Sequence, residues 1–227
     1  MPTARSGLGS KTAAVLAKDI RSELRTRYAI TAIVMFAVVS AVAVGFASGG
    51  ISLDKQIQAI LFWLVLFFAS VAGLGQSFIK EEENGTVNAL RIYAPSGSVF
   101  GGKYLFNLLL LFALEIIIVP LFIGLVGLQI ENFWLFLAVL VSGTLGLAGS
   151  TTLVAAIIAK ASMKGVLFAV LSFPLVLPLL VIAIKGTEKA LYENAFVAGW
   201  MEIRVLVSYA VVMTVAGFLL FDFVWND

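Results

Sequence analysis

The chain contains no cysteine and no histidine. Their absence removes disulfides, thiolate and imidazole metal ligands and Cys/His nucleophile pairs together. Charge is scarce as well: 12% of the 227 residues are Asp, Glu, Lys or Arg, and the net charge is +2. No large basic or acidic field therefore argues for nucleic acid or for an acidic substrate. A phosphate loop is also missing. "GSKT" at Gly9 to Thr12 breaks the Gly-Lys adjacency, and "GGKY" at Gly101 to Tyr104 lacks the Ser or Thr and a preceding strand. This chain has no means of hydrolysing ATP alone.

What is present is apolar: 61% of the residues are hydrophobic, more than a soluble domain of this size can hide, and the chain belongs in a bilayer. A spanning helix needs about 20 mostly apolar residues. Six segments meet that length: Tyr28 to Ala47, Ile57 to Phe78, Tyr104 to Leu128, Phe133 to Ala159, Gly165 to Ile184, and Val205 to Val224. The expected fold is an all-α integral membrane protein forming one transmembrane domain over residues 1–227, with the spans within 28–224. The short Lys160 to Lys164 link predicts a tight hairpin between spans four and five. Arg5, Lys11, Lys18, Arg21, Arg25 and Arg27 interrupt the first 27 residues, which do not read as a cleavable signal peptide.

Basic residues orient the bundle. With the N-terminus in the cytoplasm, the inner side holds those six together with Lys80, Arg91, Lys103, Lys160 and Lys164. The outer side holds only Lys55, Lys185, Lys189 and Arg204. Both termini are thus expected in the cytoplasm of a multi-pass plasma (inner) membrane protein. Tyr28, Tyr93, Tyr104 and Trp225 are expected near the inner interface, and Trp134, Tyr192 and Trp200 near the outer one.

Within residues 1–27, Ala13, Leu16, Ile20 and Leu24 recur at three or four residue steps while Lys11, Lys18, Arg21 and Arg25 face elsewhere. This pattern reads as an amphipathic helix lying on the cytoplasmic leaflet, or as a basic juxtamembrane segment that only sets topology. On the outer side, Gly186 to Trp200 reads as a second short helix or a plain connecting loop.

The longest cytoplasmic connection is 79–103, "IKEEENGTVNALRIYAPSGSVFGGK". Asn84 can cap a helix whose first turn is Gly85 and Thr86. Val87, Leu90 and Ala94 recur on one face, and Pro95 stops the helix. Glu81, Glu82 and Glu83 precede its N-terminus, where the helix dipole favours negative charge. Pro95, Ser96, Gly97 and Ser98 are expected to turn the chain back to Lys103 at the membrane face. Physically this is either a short helix offered to a socket on another protein or a solvated loop.

The run E-x-E-x-G-T-x-x-x-L-x-x-x-x-P, formed by Glu81, Glu83, Gly85, Thr86, Leu90 and Pro95 and followed by Gly-Lys at Lys103, resembles the cytoplasmic loop of ABC-2-type exporter permeases. Within that superfamily the chain is most similar to the haem exporter B (CcmB) family of cytochrome c maturation. "LAKDIRSELRTRYAI", with Asp19, Arg21, Glu23 and Arg25, resembles that family's opening helix. "LLLLFALEIIIVPLF", with Glu115 and Pro120, resembles its third span, and "LSFPLVLPLLV", with Pro174 and Pro178, its fifth. "GFLLFDFVWND" resembles its C-terminal end. The chain departs from the family at "LRIYAP", which is less leucine-rich, and at the glycine-rich "SGSVFGGK".

The resemblance implies a permease subunit whose short coupling helix docks on a separate cytoplasmic ATPase, a CcmA-like subunit that binds the ATP. It also implies a companion haem-handling membrane subunit (CcmC-like), a small membrane subunit (CcmD-like) and a dimer of this chain, with lipid around it and no nucleic acid. Haem is expected as a transported or handled species rather than a bound cofactor. Met35, Met163, Met201 and Met213 read as ordinary membrane residues, and no metal site is expected. The alternatives carried beside this reading are a generic ABC-2 exporter of a lipid-linked or amphiphilic substrate and a non-transporting scaffold for an ATPase.

Inside the bilayer, Glu115 lies at roughly 20 Å of depth at ~1.5 Å per residue. A charged carboxylate there costs at least ~2.5 kcal/mol. It is a functional or interface acid, or a neutral acid hydrogen-bonded to a neighbouring helix. Pro120, Pro174 and Pro178 each remove a backbone hydrogen bond and permit a kink. Ser142, Gly143, Gly146, Gly149 and Ser150 give the fourth span a small-residue face suited to close packing.

Overall fold

The computed structural model describes residues 8–49, 53–74, 76–83, 85–159 and 164–226. All regular structure among them is helical. The order is α1 (Leu8–Thr26), α2 (Tyr28–Ala47), α3 (Lys55–Gly73), α4 (Gln76–Glu83), α5 (Val87–Tyr93), α6 (Ser96–Leu121), α7 (Phe133–Ile158), α8 (Lys164–Tyr192) and α9 (Trp200–Asn226). A π-helical turn, Phe122–Val126, extends α6, and a 3₁₀ turn, Phe196–Gly199, precedes α9. Six helices are long and apolar enough to cross a membrane, as expected: α2, α3, α6 with its π turn, α7, α8, and α9 with its 3₁₀ turn.

Helix α7 is the centre of the bundle. It packs against α8, α9, α6 and α3, and most of its length is buried. The small-residue face explains why its neighbours come so close. A Cβ added at Gly143 meets the Trp63 ring at 2.3 Å, and one at Gly146 meets Leu179 Cδ1 at 2.4 Å. Trp63 is fully buried in this contact and its Nε1 donates to Thr187 Oγ1 at 2.8 Å, so the indole links α3, α7 and α8. A ring placed against backbone gains many dispersion contacts and leaves no polar atom orphaned.

Several boundaries differ from the sequence reading. The first helix after α4 starts at Val87 rather than at Gly85, and the Thr86 side chain does not cap it. Thr86 Oγ1 instead donates to Glu81 Oε2 at 2.5 Å. The predicted capping residue, Asn84, lies outside the described residues. Ser96 to Ser98 form no turn back to the membrane: Pro95, with φ −67°, precedes the first turn of α6, and the third span begins there. Proline's fixed φ and missing N–H suit a helix start. The outer segment from Gly186 is not a separate helix up to Trp200, because α8 runs unbroken to Tyr192 through Pro174 and Pro178. The link at 160–163 lies outside the described residues.

Helix α1 packs on the bundle by a face that the sequence reading left unassigned. Val15, Asp19 and Glu23 are buried, while Ala13 and Leu24 are exposed and Leu16 and Ile20 are half-buried. The apolar stripe therefore lies one residue, roughly 100°, round from the packed face. The reason is the partner: α1 packs along α6, where a buried cation demands acids. Two aromatic residues expected near the inner interface pack against the protein. Tyr104 is half-buried, with its hydroxyl 3.4 Å from the Leu145 carbonyl oxygen, and Trp225 is buried against Phe221 with ring centroids 5.2 Å apart. Trp134, Tyr192 and Trp200 are exposed.

Candidate functional site

One end of the bundle gathers α1, α4, α5, the start of α6 and the end of α9. Its apolar support is a cluster separate from the main core, containing Val15, Phe78, Leu90, Ala94, Val99, Phe100, Phe221 and Trp225. Leu90 and Ala94, on one face of α5, are buried in it. The opposite face of the same short helix carries Ile92, 91% exposed, and Tyr93, 64% exposed. Two large apolar side chains held out by a helix whose other face is docked form a presented patch.

Behind that patch lies a buried charge network. Lys103 is fully buried on α6. Its Nζ donates to Asp19 Oδ2 on α1 at 3.2 Å and to Glu81 Oε1 on α4 at 3.3 Å, and it lies 5.2 Å from the centre of the Phe78 ring. Lys18 completes the set, pairing with Asp19 at 3.2 Å and with Glu81. Two cations and two anions thus join three helices, an arrangement in which each buried charge has its opposite. Burial favours the neutral form of Glu81, but the charge of Lys103 outweighs it, together with hydrogen bonds from Lys18 and Thr86, and its carboxyl is held down at about 2. Lys18 shifts upward: partial burial opposes its charge, and Asp19 and Glu81 more than compensate.

The close approach of α1 to α6 depends on the glycine pair before Lys103. A Cβ at Gly102 would stand 2.7 Å from Val15 Cγ1 and 3.1 Å from the Thr12 carbonyl oxygen. The glycine-rich departure from the family pattern therefore has a packing role here. Ser98 Oγ donates to the Leu8 carbonyl at 3.1 Å and Ser96 Oγ to Asp222 Oδ1 at 2.6 Å, fastening the first turn of α6 to α1 and α9.

Of the candidate residues, the structure brings together Asp19, Glu81, Thr86 and Lys103, with Leu90 anchoring α5 beside them. Glu83 is exposed at the end of α4. Gly85 adopts φ 65°, the left-handed conformation that lets the chain turn between α4 and α5. Glu23 is buried away from the network, and its Oε1 accepts from the Ile30 amide at 2.9 Å. That bond satisfies one of the free amides in the first turn of α2 where Arg27, at φ 55°, breaks the helix. Arg21 and Arg25 are exposed. Two participants escaped the sequence reading. Lys18 was placed on the solvated face, and Arg91 lies over the Trp225 ring at 5.4 Å, a contact whose only sequence signal is an aromatic residue 134 positions away.

Within the spans, Glu115 is buried and accepts a hydrogen bond from Thr144 Oγ1 on α7. Pro120 lies in the last turn of α6, just before the π turn, and Gly127 at φ 76° ends that segment. Tyr209 Oη donates to the Leu175 carbonyl at 2.6 Å, between the two prolines of α8, and lies 2.9 Å from Ser150 Oγ.

Six helices long and apolar enough to cross a membrane, with a docked, outward-facing helix between the second and third of them, define a multi-pass membrane protein. The model of the CcmB protein family matches residues 10–223, nearly the whole chain, and the chain belongs to that family of haem exporter permeases. No curated protein matches it.

Proposed function

We propose that the chain is the membrane permease of a cytochrome c maturation ABC transporter and that it converts motion of a separate ATPase subunit into rearrangement of its spans. The observation that carries this reading is the Asp19–Lys103–Glu81 network. It joins α4, next to the patch at Ile92 and Tyr93, to the N-terminal helix and to the third span. An ATPase bound at Ile92 and Tyr93 pulls on α5; Thr86 and Glu81 pass that displacement to Lys103, and α6 moves with it. A buried salt-bridge network suits this role because its charges cannot separate into a dry interior without a cost of several kcal/mol. The helices it joins move as one body.

In this reading the α1 end faces the cytoplasm of the inner membrane, in keeping with the distribution of basic residues. The ATP-binding partner is a CcmA-like subunit. The chain works as a homodimer, since one set of six spans forms half of a two-fold transporter, beside CcmC-like and CcmD-like membrane subunits. Haem, or a haem-loaded chaperone, is the handled species. Its iron is not ligated by this chain: Met35 and Met201 are exposed on the outside of the bundle and Met213 is buried.

The test is a haem stain for c-type cytochromes in membranes of cells lacking the chain, complemented with wild type, with Gly85→Pro or with Ile92→Asp/Tyr93→Asp. Wild type alone is expected to restore the stain. Normal c-type cytochromes in the deletion strain would overturn the maturation role.

A further inference from the structure

Behind α5 lies a cavity of about 380 Å³, walled by residues of α4, α5, α6, α7 and α9. Its floor is buried and largely aromatic, with Phe78, Leu90, Phe221 and Trp225. Glu81, Glu82 and Arg91 line it too, and all three are half-buried, so the mouth lies between α4 and α5. Successive residues of an α-helix point about 100° apart. Arg91 thus stands on the flank of α5 between the docked Leu90 and the exposed Ile92, which puts the mouth alongside the patch of Ile92 and Tyr93.

Two of the charged lining residues answer each other: Lys103 and Glu81 pair at 3.3 Å. Arg91 has no such partner. Among the described residues it forms no salt bridge, with Glu82 or any other acid, and its Nε is shielded from solvent without a hydrogen-bond acceptor. The guanidinium lies over the Trp225 ring at 5.4 Å instead. Stacking on an aromatic face holds the guanidinium plane and leaves its N–H edge for a planar acceptor. A buried donor without an acceptor costs free energy, and a water molecule there answers the donor but not the charge. A carboxylate answers both. Glu82 at the rim favours an anion of one charge over a membrane surface or a nucleotide, whose several charges it would repel.

We propose that Arg91 receives an acidic side chain of the ATPase subunit: an aspartate or glutamate enters the mouth between α4 and α5 and pairs with the guanidinium while Ile92 and Tyr93 meet an apolar surface of the same partner. The inference rests on the docking reading given above and adds the chemistry of the partner. It also gives the ATPase a second route into the bundle. Because the guanidinium is seated on Trp225, the acid acts on the end of α9 as well as on α5.

The full-length chain and its ATPase subunit are coexpressed and purified in a mild detergent. Arg91→Gln is expected to weaken binding of the ATPase subunit about tenfold, the loss of a charge-assisted hydrogen bond. Arg91→Lys keeps the charge and supplies an amine. Treated with a carbodiimide, which joins an amine to a carboxylate in contact with it, this variant is expected to form a cross-link, absent from wild type, to one Asp or Glu of the ATPase subunit. Mass spectrometry locates that acid. Neutralising it is expected to weaken binding to wild type about tenfold and to add nothing to Arg91→Gln, a coupling that a general loosening of α5 does not produce. Ile92→Asp/Tyr93→Asp tests the docking reading: if it leaves binding intact, that reading falls and this inference with it. If it releases the ATPase while Arg91→Gln binds like wild type, if the cross-link joins Glu82 of the same chain, or if the two losses add, the docking patch stands and the role of Arg91 is overturned.

Discussion

Lys103 and Asp19 stand 84 residues apart in the chain and meet at 3.2 Å, both buried, at the junction of α1 and α6. The pair makes the N-terminal helix part of the bundle. Removing one partner leaves the other charge in a dry site, which typically costs ~3–5 kcal/mol. Lys103→Ala is expected to lower thermal stability in detergent by that order. In a double-mutant cycle with Asp19→Asn, the two losses are expected to add to less than their sum. Strict additivity would show that the two side chains act separately.

The low position of Glu81 sets a pH dependence. Its folded-state value, about 2, lies below its ordinary 4.5. Its contribution is therefore complete above about 4.5 and is lost as pH falls through 4.5 toward 2. Glu81→Gln is expected to be less stable than wild type at neutral pH, and the difference is expected to shrink below pH 4.5. Thermal midpoints of both proteins across that range check this, and parallel curves would refute the assignment.

The contact of Gly143 with Trp63 makes a strong steric prediction. Gly143→Ala places a methyl 2.3 Å from the indole, so the ring must leave its site and its bond to Thr187. Overpacking of this kind costs ~1–3 kcal/mol. A lowered melting point with a shifted tryptophan emission is expected; unchanged emission would mean that the ring has room to spare.

The exposed patch separates coupling from folding. Ile92→Asp and Tyr93→Asp change surface positions, where substitutions usually fall within ~0.5 kcal/mol. The melting point is expected to stay while copurification with the ATPase subunit, and ATPase stimulation, fall at least tenfold. Retained copurification would place the ATPase elsewhere.

Six spans and their order were legible in the linear sequence. A twenty-residue apolar run has one stable option in a bilayer, a helix that satisfies its own backbone. The small-residue face at Ser142, Gly143, Gly146, Gly149 and Ser150 was legible for the same reason, because helical period alone sets it. The loop motif located Glu81, Thr86, Leu90 and Lys103 together without saying what they do.

The sequence could not decide which face of α1 is packed. Amphipathicity ranks faces by water and lipid, and by that rule Leu24 outranks Glu23. The structure packs Asp19 inward because Lys103, buried on another helix, pairs with it, and it leaves Leu24 facing outward. Trp225 is a similar case: it stacks on Phe221, one turn back on its own helix, and lies under Arg91 from α5, far off in the chain. Local period and hydropathy set what each segment is. Which segments meet depends on charges and rings far apart in the chain, and only the folded bundle brings them together.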